Sequence, residues 1–194
     1  YKELANQGVK ATDVPVIAFS VGEEELRGID TKPLVGNLSA WNYFQSVENP
    51  VNEAFVSKWK AYAKAKNLPG ADKAVTNDPM EAHYIGFNMW VKAVEASGTT
   101  DPDAIIENIV GVAVPNLTGG IASMGENHHV TKPVLVGEIQ ADGQFDVVWE
   151  TPGLVLGDEW SDFLPESKPL ISVWRAPLNC GNFNTETKTC GGAN

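Results

Sequence analysis

Basic residues are scarce in this chain. It has 14 Lys and Arg residues against 25 Asp and Glu residues, and its formal net charge is -11 at pH 7. Binding to a nucleic-acid backbone depends on Lys and Arg, and so does attraction to an anionic membrane surface. The charge therefore argues against both of these partners and favours a neutral or cationic small molecule.

Long apolar runs are also absent. No run approaches the ~20 residues that a transmembrane helix requires. The first residues, "YKELANQGVK", lack the basic, apolar and small-residue series of a signal peptide. The residues around Leu4 are typical of the tail of an amphipathic helix that ends at Gly8. Because a helix tail is an unusual place for a protein to start, we expect that processing or truncation has removed a preceding part.

Motifs of nucleophilic and phosphate chemistry are missing. Ser20 follows an apolar run as a nucleophile would, but its neighbours Phe19 and Val21 are not the glycines of a G-x-S-x-G elbow. Gly119-Gly120 stands in neither a G-x-G-x-x-G nor a Walker pattern. We therefore expect no enzymatic activity and no cofactor.

Histidine occurs three times, and two of the three are adjacent, at His128 and His129. Adjacent residues of a strand point to opposite faces, so they are poorly placed to hold one metal ion. Zinc sites need three or four ligands, and His83 lies in a helix that we expect to be buried. The sequence therefore predicts no metal site, and a structural role for the pair in front of a hairpin.

Cysteine occurs twice, in "NCGNFNTETKTC" at Cys180 and Cys190. This polar segment has little core to hold it, and a disulfide would close a short loop there. The alternative is two free thiols. We predict the disulfide, which implies an oxidising compartment such as the bacterial periplasm.

Two apolar runs near the start predict strands. With 43% hydrophobic and 20% charged residues, the chain has the composition of a globular protein, and its length allows one domain or two small ones. Val14 to Phe19 predicts a parallel strand buried on both faces, and Leu34 to Trp41 is a second candidate. The acidic run Glu23 to Glu25 suits the solvated first turn of a helix, and its alternative role is to hold a cation.

Helices are predicted in the middle of the chain. Apolar residues recur at helical spacing after Pro50. Asp78-Pro79-Met80-Glu81 predicts a helix start with Asp78 as the N-cap. This helix is apolar around most of its surface, so we expect it to be heavily buried. Asp101-Pro102 opens a third helix, which ends at Gly111.

The character of the sequence changes after Gly111. "KPVLVGEIQADGQFDVVWE" has two β-like runs joined by Asp142-Gly143, which predicts a hairpin with a tight turn. The segment after Pro152 is typical of a looser tail dotted with aromatic residues. Taken together, the order of elements predicts an α/β fold with mainly parallel sheets flanked by helices and a C-terminal β-hairpin.

Ligands of such sheets bind at the carboxyl ends of the strands, which directs attention to "FSVGEE". The hydroxyl of Ser20 and the backbone N–H groups of Val21 and Gly22 are candidates to orient a small polar ligand. Trp41 and Tyr43 follow the second strand, and they either wall such a ligand or belong to ordinary core or hinge packing.

Four segments resemble one family. They are "VPVIAFSVGEEEL", "NDPMEAHYIGFNMWVKAVEASGTTDPD", "ENHHVTKPVLVGEIQADGQFDVVWETPG" and "DEWSDFLPESK". They are similar to the urea-type substrate-binding proteins of bacterial ABC transporters, within the wider family of branched-chain amino-acid and amide binding proteins with the type I periplasmic fold. The block from Asn127 to Trp149 is the most specific, and the short-chain amide sensors resemble it too.

The resemblance implies a two-lobed protein that closes on its ligand without chemistry, of which this chain is the carboxyl-terminal half. By the family pattern the segments divide as follows: 1–41 in the second lobe, 42–49 a crossover, 50–110 helices of the first lobe, 111–128 a crossover, 129–150 a hairpin of the second lobe, and 151–194 a tail. Ser20 and Val21 then match a ligand-contacting loop, and Glu23 lies near the acid that binds an ammonium group in amino-acid binders.

The function expected from this resemblance is periplasmic capture of urea or a short-chain amide and its delivery to a membrane permease. A binding protein for branched-chain or other amino acids and a ligand-sensing amide regulator remain open as alternatives. The missing amino-terminal half is an expected partner, because the first-lobe ligand contacts have no counterpart in this chain.

Overall fold

The computed structural model of the chain describes residues 1–158, 160, 162–177 and 179–191. The chain divides into two compact units, Tyr1–Gly157 and Asp158–Asn194. The helices of the first unit are α1 (Lys2–Asn6), α2 (Glu23–Leu26), α3 (Pro50–Ala65), α4 (Asp78–Ser97) and α5 (Pro102–Asn108). Its strands are β1 (Ile17–Ala18), β2 (Leu38–Trp41), β3 (Ala113–Pro115), β4 (Ile121–Ser123), β5 (Leu135–Ile139) and β6 (Phe145–Glu150).

The larger sheet of the first unit is mixed, with the strand order β1-β2-β5-β6. β1 pairs with β2 in parallel, whereas β2 with β5 and β5 with β6 are antiparallel. The α/β class and the predicted hairpin are confirmed, but the expectation of mainly parallel sheets is wrong for the described residues. For β5 and β6 the reason is that a hairpin reverses the chain, so its two strands are antiparallel to each other.

The hairpin turns at the predicted dipeptide. Gly143 has a φ of +80°, a conformation that glycine adopts without the steric cost borne by other residues. The N–H of Gly143 donates to the carbonyl of Gln140, and the N–H of Gln140 donates to the carbonyl of Gln144. These bonds close the turn and fix the register of β5 on β6.

The first predicted strand is shorter and more exposed than expected. β1 has only two residues, at the edge of the sheet, and Val14, Ile17 and Phe19 are 56%, 45% and 73% exposed. The prediction of a strand buried on both faces is therefore wrong, because no described segment covers this edge. The second candidate begins later than predicted, at Leu38, since Lys32–Leu34 forms a 3₁₀ turn.

The two long helices begin with asparagine caps. The side chain of Asn49 accepts from the N–H of Asn52 in front of Pro50, and the side chain of Asn77 accepts from the N–H of Met80. The N-cap of α4 is therefore Asn77 and not Asp78. Both residue types cap helices well, so the sequence alone does not choose between two neighbours.

Buried apolar side chains of the first unit form two clusters. Core one contains Leu26, Leu34, Phe44, Leu135, Ile139 and Phe145. Core two contains Ile85, Met89, Val114 and Ala122. The residues of core one come from both ends of the unit, and those of core two come from its middle.

The helix α4 buries only one face. Ile85 and Met89 are buried in core two, but Tyr84, Phe87 and Trp90 are 43%, 62% and 39% exposed. The expectation of a heavily buried helix is therefore wrong for this face. An amphipathic pattern sets which residues prefer the interior, whereas burial also needs a neighbouring layer.

The second unit is a small sheet and not a loose tail. β7 (Leu170–Val173), β8 (Cys180–Asn184) and β9 (Thr189–Cys190) pair antiparallel in that order. The predicted disulfide between Cys180 and Cys190 is confirmed, and it joins β8 to β9 with the Cα atoms 5.8 Å apart. Of the tail's aromatic residues, Trp174 packs its ring against Gly181.

Candidate functional site

Polar side chains connect the two cores where the chain passes between them. The chain leaves core one after Val47, enters core two at Ile85, and returns from Val130 to Leu135. We call the polar side chains that meet there the inter-core junction: Glu23, Asn42, Tyr43, Gln45, Asn52, Thr76, Asp78, Glu81 and Lys132. The junction is therefore built mainly from residues next to the cores and not from a single loop.

Tyr43 occupies the interior of the junction. Its side chain has no exposed surface, and its hydroxyl lies 2.7 Å from Oδ1 of Asn52 and 2.8 Å from Oγ1 of Thr76. Burial raises the pKa of the Tyr43 phenol above its usual range. Tyr43 is therefore packed inside the junction in this structure, and its ring has no exposed surface.

Glu23 is also buried, at 1% exposure, which differs from the expected solvated helix turn. Its Oε1 accepts from the N–H of Gln45 at 2.6 Å, and its Oε2 is buried without a hydrogen-bond partner among the described residues. Burial raises the pKa of the Glu23 carboxyl to about 7, although the hydrogen bond from Gln45 opposes this. Near neutral pH the group is therefore divided between a carboxylate and a neutral acid that can also donate.

A polar pocket of about 500 Å³ borders Glu23. Gln45 and Gln144 line it from the side of core one, where the Nε2 of Gln45 donates to Oε1 of Gln144 at 2.7 Å. Lys60, on α3, and Asp72 also line it. The pocket is therefore lined by amide groups and by charged groups of both signs, which makes it suitable for a small polar molecule.

Lys132 forms the charged part of the junction. Its Nζ donates to Oε2 of Glu81 and lies 3.9 Å from Oδ2 of Asp78. Burial raises the pKa of Glu81 to about 7 and also raises that of Asp78, while the positive charge of Lys132 opposes both shifts.

The residues predicted around "FSVGEE" are only partly brought together. The carbonyl of Val21 accepts from Oγ of Ser39 and from Nε1 of Trp41, so Val21 and Trp41 are neighbours and both are half-buried. Ser20 is exposed. The N–H of Gly22 donates to Oε2 of Glu25 at 2.8 Å, so the expectation that this N–H is open to a ligand is wrong in this structure. Its cause is the capping of α2 by Glu25.

The histidine pair lies outside the junction. Nε2 of His128 lies 3.1 Å from the carbonyl oxygen of Ile106, and the ring of His129 lies against Gly157. His128 adopts a φ of +60° in a turn, so the pair does not lie on a strand, as the expected alternation of faces assumed. Among the residues that the structure describes, no group of three or more His, Cys, Asp or Glu side chains is arranged to hold a metal ion.

Sequence reasoning missed several junction residues. Lys132, Gln45 and Asn52 carry no motif, and Asp78 and Glu81 belong to a predicted helix start that indicates no contact with Lys132. One signal was available: Glu81 falls between Ile85 and Asn77 on the inward side of a helix start, where an acidic residue needs a partner. Its partner lies 51 positions away, which no local pattern indicates.

The chain matches one protein family over most of its length. Residues 1–166 match the family described as "Periplasmic binding protein domain". In the part of the chain that the structure describes, no helix is both long and apolar enough to cross a membrane.

Solved structures and one curated protein are similar to this chain. A solute-binding protein of an ABC transporter from Rhodopseudomonas palustris HaA2, in complex with p-hydroxybenzoic acid, is 25% identical with a TM-score of 0.62, and the match covers 79% of this chain and 41% of that one. An amino-acid ABC transporter substrate-binding protein from Pseudomonas fluorescens Pf-5 is 20% identical with a TM-score of 0.63, covering 81% and 41%. A protein named limonene hydroxylase from Geobacillus stearothermophilus is 31% identical over 121 residues, which is 62% of this chain and 21% of that protein. The chain thus spans about two fifths of the solved relatives and a fifth of the curated one.

Proposed function

Because this chain belongs to the periplasmic binding protein domain family, we propose that it is part of the solute-binding component of a bacterial ABC importer. The match over residues 1–166 carries this proposal. Two apolar cores joined by a polar junction support it, since a binding protein of this class closes two bodies on a solute. Location in the periplasm and an ABC permease as partner belong to the same proposal, and the disulfide is compatible with that compartment.

The lobes of the proposed protein follow the two cores. Residues 1–41 and the hairpin 129–150 would build the second lobe around core one, and the helices of 50–110 would contribute core two to the first lobe. Residues 42–49 and 111–128 would be crossovers, the latter carrying the β3–β4 pair. The exposed edge of β1 and the exposed face of α4 would be covered by the remaining amino-terminal half, and 151–194 would form the tail.

For the solute, we propose urea or a short-chain amide. These molecules are neutral and carry both donors and acceptors, so a site for them needs groups of both kinds. Ser20, Val21, Glu23, Trp41 and Tyr43 are the proposed ligand-binding residues, whereas Gly22 is no longer proposed because its N–H is bonded to Glu25. Gln45 and Gln144 beside Glu23 add amide groups of both kinds, and a carboxyl that titrates near neutral pH can accept from an amide or donate to it.

An amino-acid binder is the second candidate, and Glu23 is the observation that favours it. A buried carboxylate oxygen without a hydrogen-bond partner suits an ammonium group, because a charge-assisted bond would satisfy it. An amide-sensing regulator would use the same site with a different partner protein.

Calorimetry of the natural full-length protein tests the solute. We expect heat of binding with millimolar urea or acetamide and none with leucine. Binding of leucine alone would replace the amide proposal with the amino-acid one, and binding of none of the three would remove both. Ser20→Ala should weaken binding at least ~10-fold if the hydroxyl contacts the ligand, whereas Ser57→Ala, on the exposed side of α3, should leave it unchanged.

Two further observations separate the classes. A ligand recovered chemically intact after prolonged incubation supports a binding protein, and turnover of amides or esters would indicate a hydrolase instead. Co-purification with a permease, as opposed to a regulatory protein, would separate the importer from the sensor.

A further inference from the structure

Lys132 lies where three segments of the chain meet. It stands just before β5, whose Leu135 and Ile139 are buried in core one. Its two acidic neighbours, Asp78 and Glu81, stand in the first turn of α4, whose later residues are buried in core two. One lysine therefore links an element of each core.

A ring of polar contacts closes around this lysine. Oδ2 of Asp78 accepts from the N–H of Asn42 at 2.9 Å and lies 3.9 Å from Nζ of Lys132. The Nδ2 of Asn42 donates to the carbonyl of Pro133 at 2.7 Å, next to Lys132 in sequence. The third segment, which follows β2, is thereby tied to the other two.

The ring is largely shielded from water. The side chain of Glu81 has no exposed surface, and those of Lys132 and Asp78 are 10% and 13% exposed. Separating such a pair leaves a buried charge without its partner, which costs free energy. A smaller displacement also weakens the ion pair, because little water can reach these groups to replace the lost contact. The cluster therefore resists intermediate orientations of the segments that it joins.

The charges of the ring are not balanced. Two carboxyl groups share one ammonium group, and Oε1 of Glu81 is buried without a hydrogen-bond partner among the described residues. A buried ion pair is weak support for stability alone, and its best-attested use is to specify one arrangement of the elements it joins. The ring has the composition and the position for that use.

We propose that Lys132 is a positioning residue that clamps the two cores in one relative orientation, the orientation from which the protein closes on its solute. This inference rests on the proposed function for the closure, but the clamp itself is defined by contacts within this chain. Lys132 is assigned no contact with the solute.

Distance measurements between spin labels test the clamp in the full-length protein without any ligand. Labels are attached at Asp142→Cys, in the hairpin turn, and Glu95→Cys, in α4, and both sites are exposed. Cys180 and Cys190 form a disulfide and do not compete for label. We expect Lys132→Met to shift or broaden the distance distribution by more than ~2 Å, the size that separates rearrangements of a body from side-chain adjustments. Lys58→Met, on the exposed side of α3, should leave the distribution unchanged.

A distribution for Lys132→Met that matches the parent would overturn the proposal, even if the variant unfolds more easily, because a merely stabilising pair does not set an orientation. If Lys132→Met does not fold, Glu81→Gln replaces it, because this substitution removes the carboxylate charge at constant size. The same shift or broadening of the distance distribution is then expected. Because no solute is present, this outcome is independent of the calorimetric test. A protein that binds none of the tested solutes yet shows the shift would retain the clamp and lose the proposed function.

Discussion

The hydroxyl of Tyr43 lies 2.7 Å from Oδ1 of Asn52, and this contact joins the segment after β2 to the first turn of α3. Both side chains are buried, with 0% and 1% exposure. We expect Tyr43→Phe to lower the free energy of unfolding by about 1–3 kcal/mol, because the amide of Asn52 and the hydroxyl of Thr76 lose a partner inside the protein.

Guanidinium denaturation measures this loss and avoids urea, which is a proposed ligand. Tyr62→Phe is the matched control, since Tyr62 is 53% exposed on α3 and should change stability by less than ~0.5 kcal/mol. If the two substitutions lower the free energy of unfolding equally, the hydrogen bonds of Tyr43 contribute no more to stability than the exposed hydroxyl of Tyr62.

The stability of the protein should fall as pH rises through the window set by Glu23. Its pKa is raised from 4.5 to about 7, so between these values the folded chain binds more protons than the unfolded one, and the free energy of unfolding decreases with pH. Glu23→Gln should remove this contribution, which amounts to about 3 kcal/mol of the free energy of unfolding over the whole pH window. The control is Glu53→Gln, at an exposed site in α3, and denaturation midpoints between pH 4.5 and 8 give the curves. A Glu23→Gln curve parallel to the parent would contradict the prediction.

Gly137 lies where β5 passes beneath an aromatic pair. A Cβ there would come within 2.9 Å of ring atoms of Phe44 and of Cβ of Phe145, whose rings are 4.5 Å apart. We expect Gly137→Ala to destabilise the protein by about 1–3 kcal/mol through overpacking.

Gly86→Ala should have the opposite sign. A Cβ at Gly86 meets no atom within 4 Å, and alanine is preferred to glycine inside a helix such as α4 by about 1 kcal/mol. Thermal unfolding of the two variants side by side checks both signs, and stabilisation by Gly137→Ala would disprove the packing argument.

The disulfide should hold the register of β8 on β9. The Phe183–Cys190 and Asn184–Thr189 pairs lie beside it, and a bridge between segments ten residues apart removes freedom from the open chain. We expect a double Cys180→Ser, Cys190→Ser variant to lose hydrogen-exchange protection at the amides of residues 182–190. Adding reductant provides the control. It should leave the exchange rates of the double variant unchanged, and it should raise the exchange rates of the parent to those of the variant.

Local signals were sufficient for several elements. Pro50 with the helical spacing after it predicted α3, Asp101-Pro102 predicted α5, and Asp142-Gly143 predicted the hairpin turn. These features depend on hydrogen bonds between residues a few positions apart, which a sequence displays directly. The same holds for the disulfide in the polar C-terminal segment.

Burial was harder to predict than element type. Val14 to Phe19 and the face of α4 with Phe87 are apolar enough for an interior, yet both are exposed in this chain. Periodicity states which side chains would gain from burial, but only a neighbouring layer can provide it.

The amino-acid sequence by itself determined the proline-marked helix starts to within a residue, the hairpin and the likeness to periplasmic binding proteins, because each of these is encoded in neighbouring or characteristic residues. Only the tertiary structure decided that Glu23 and Tyr43 face inwards and that Lys132 meets Asp78 and Glu81. These contacts join residues many positions apart, and the free energy of a buried charge depends on what surrounds it in space and not on its neighbours along the chain.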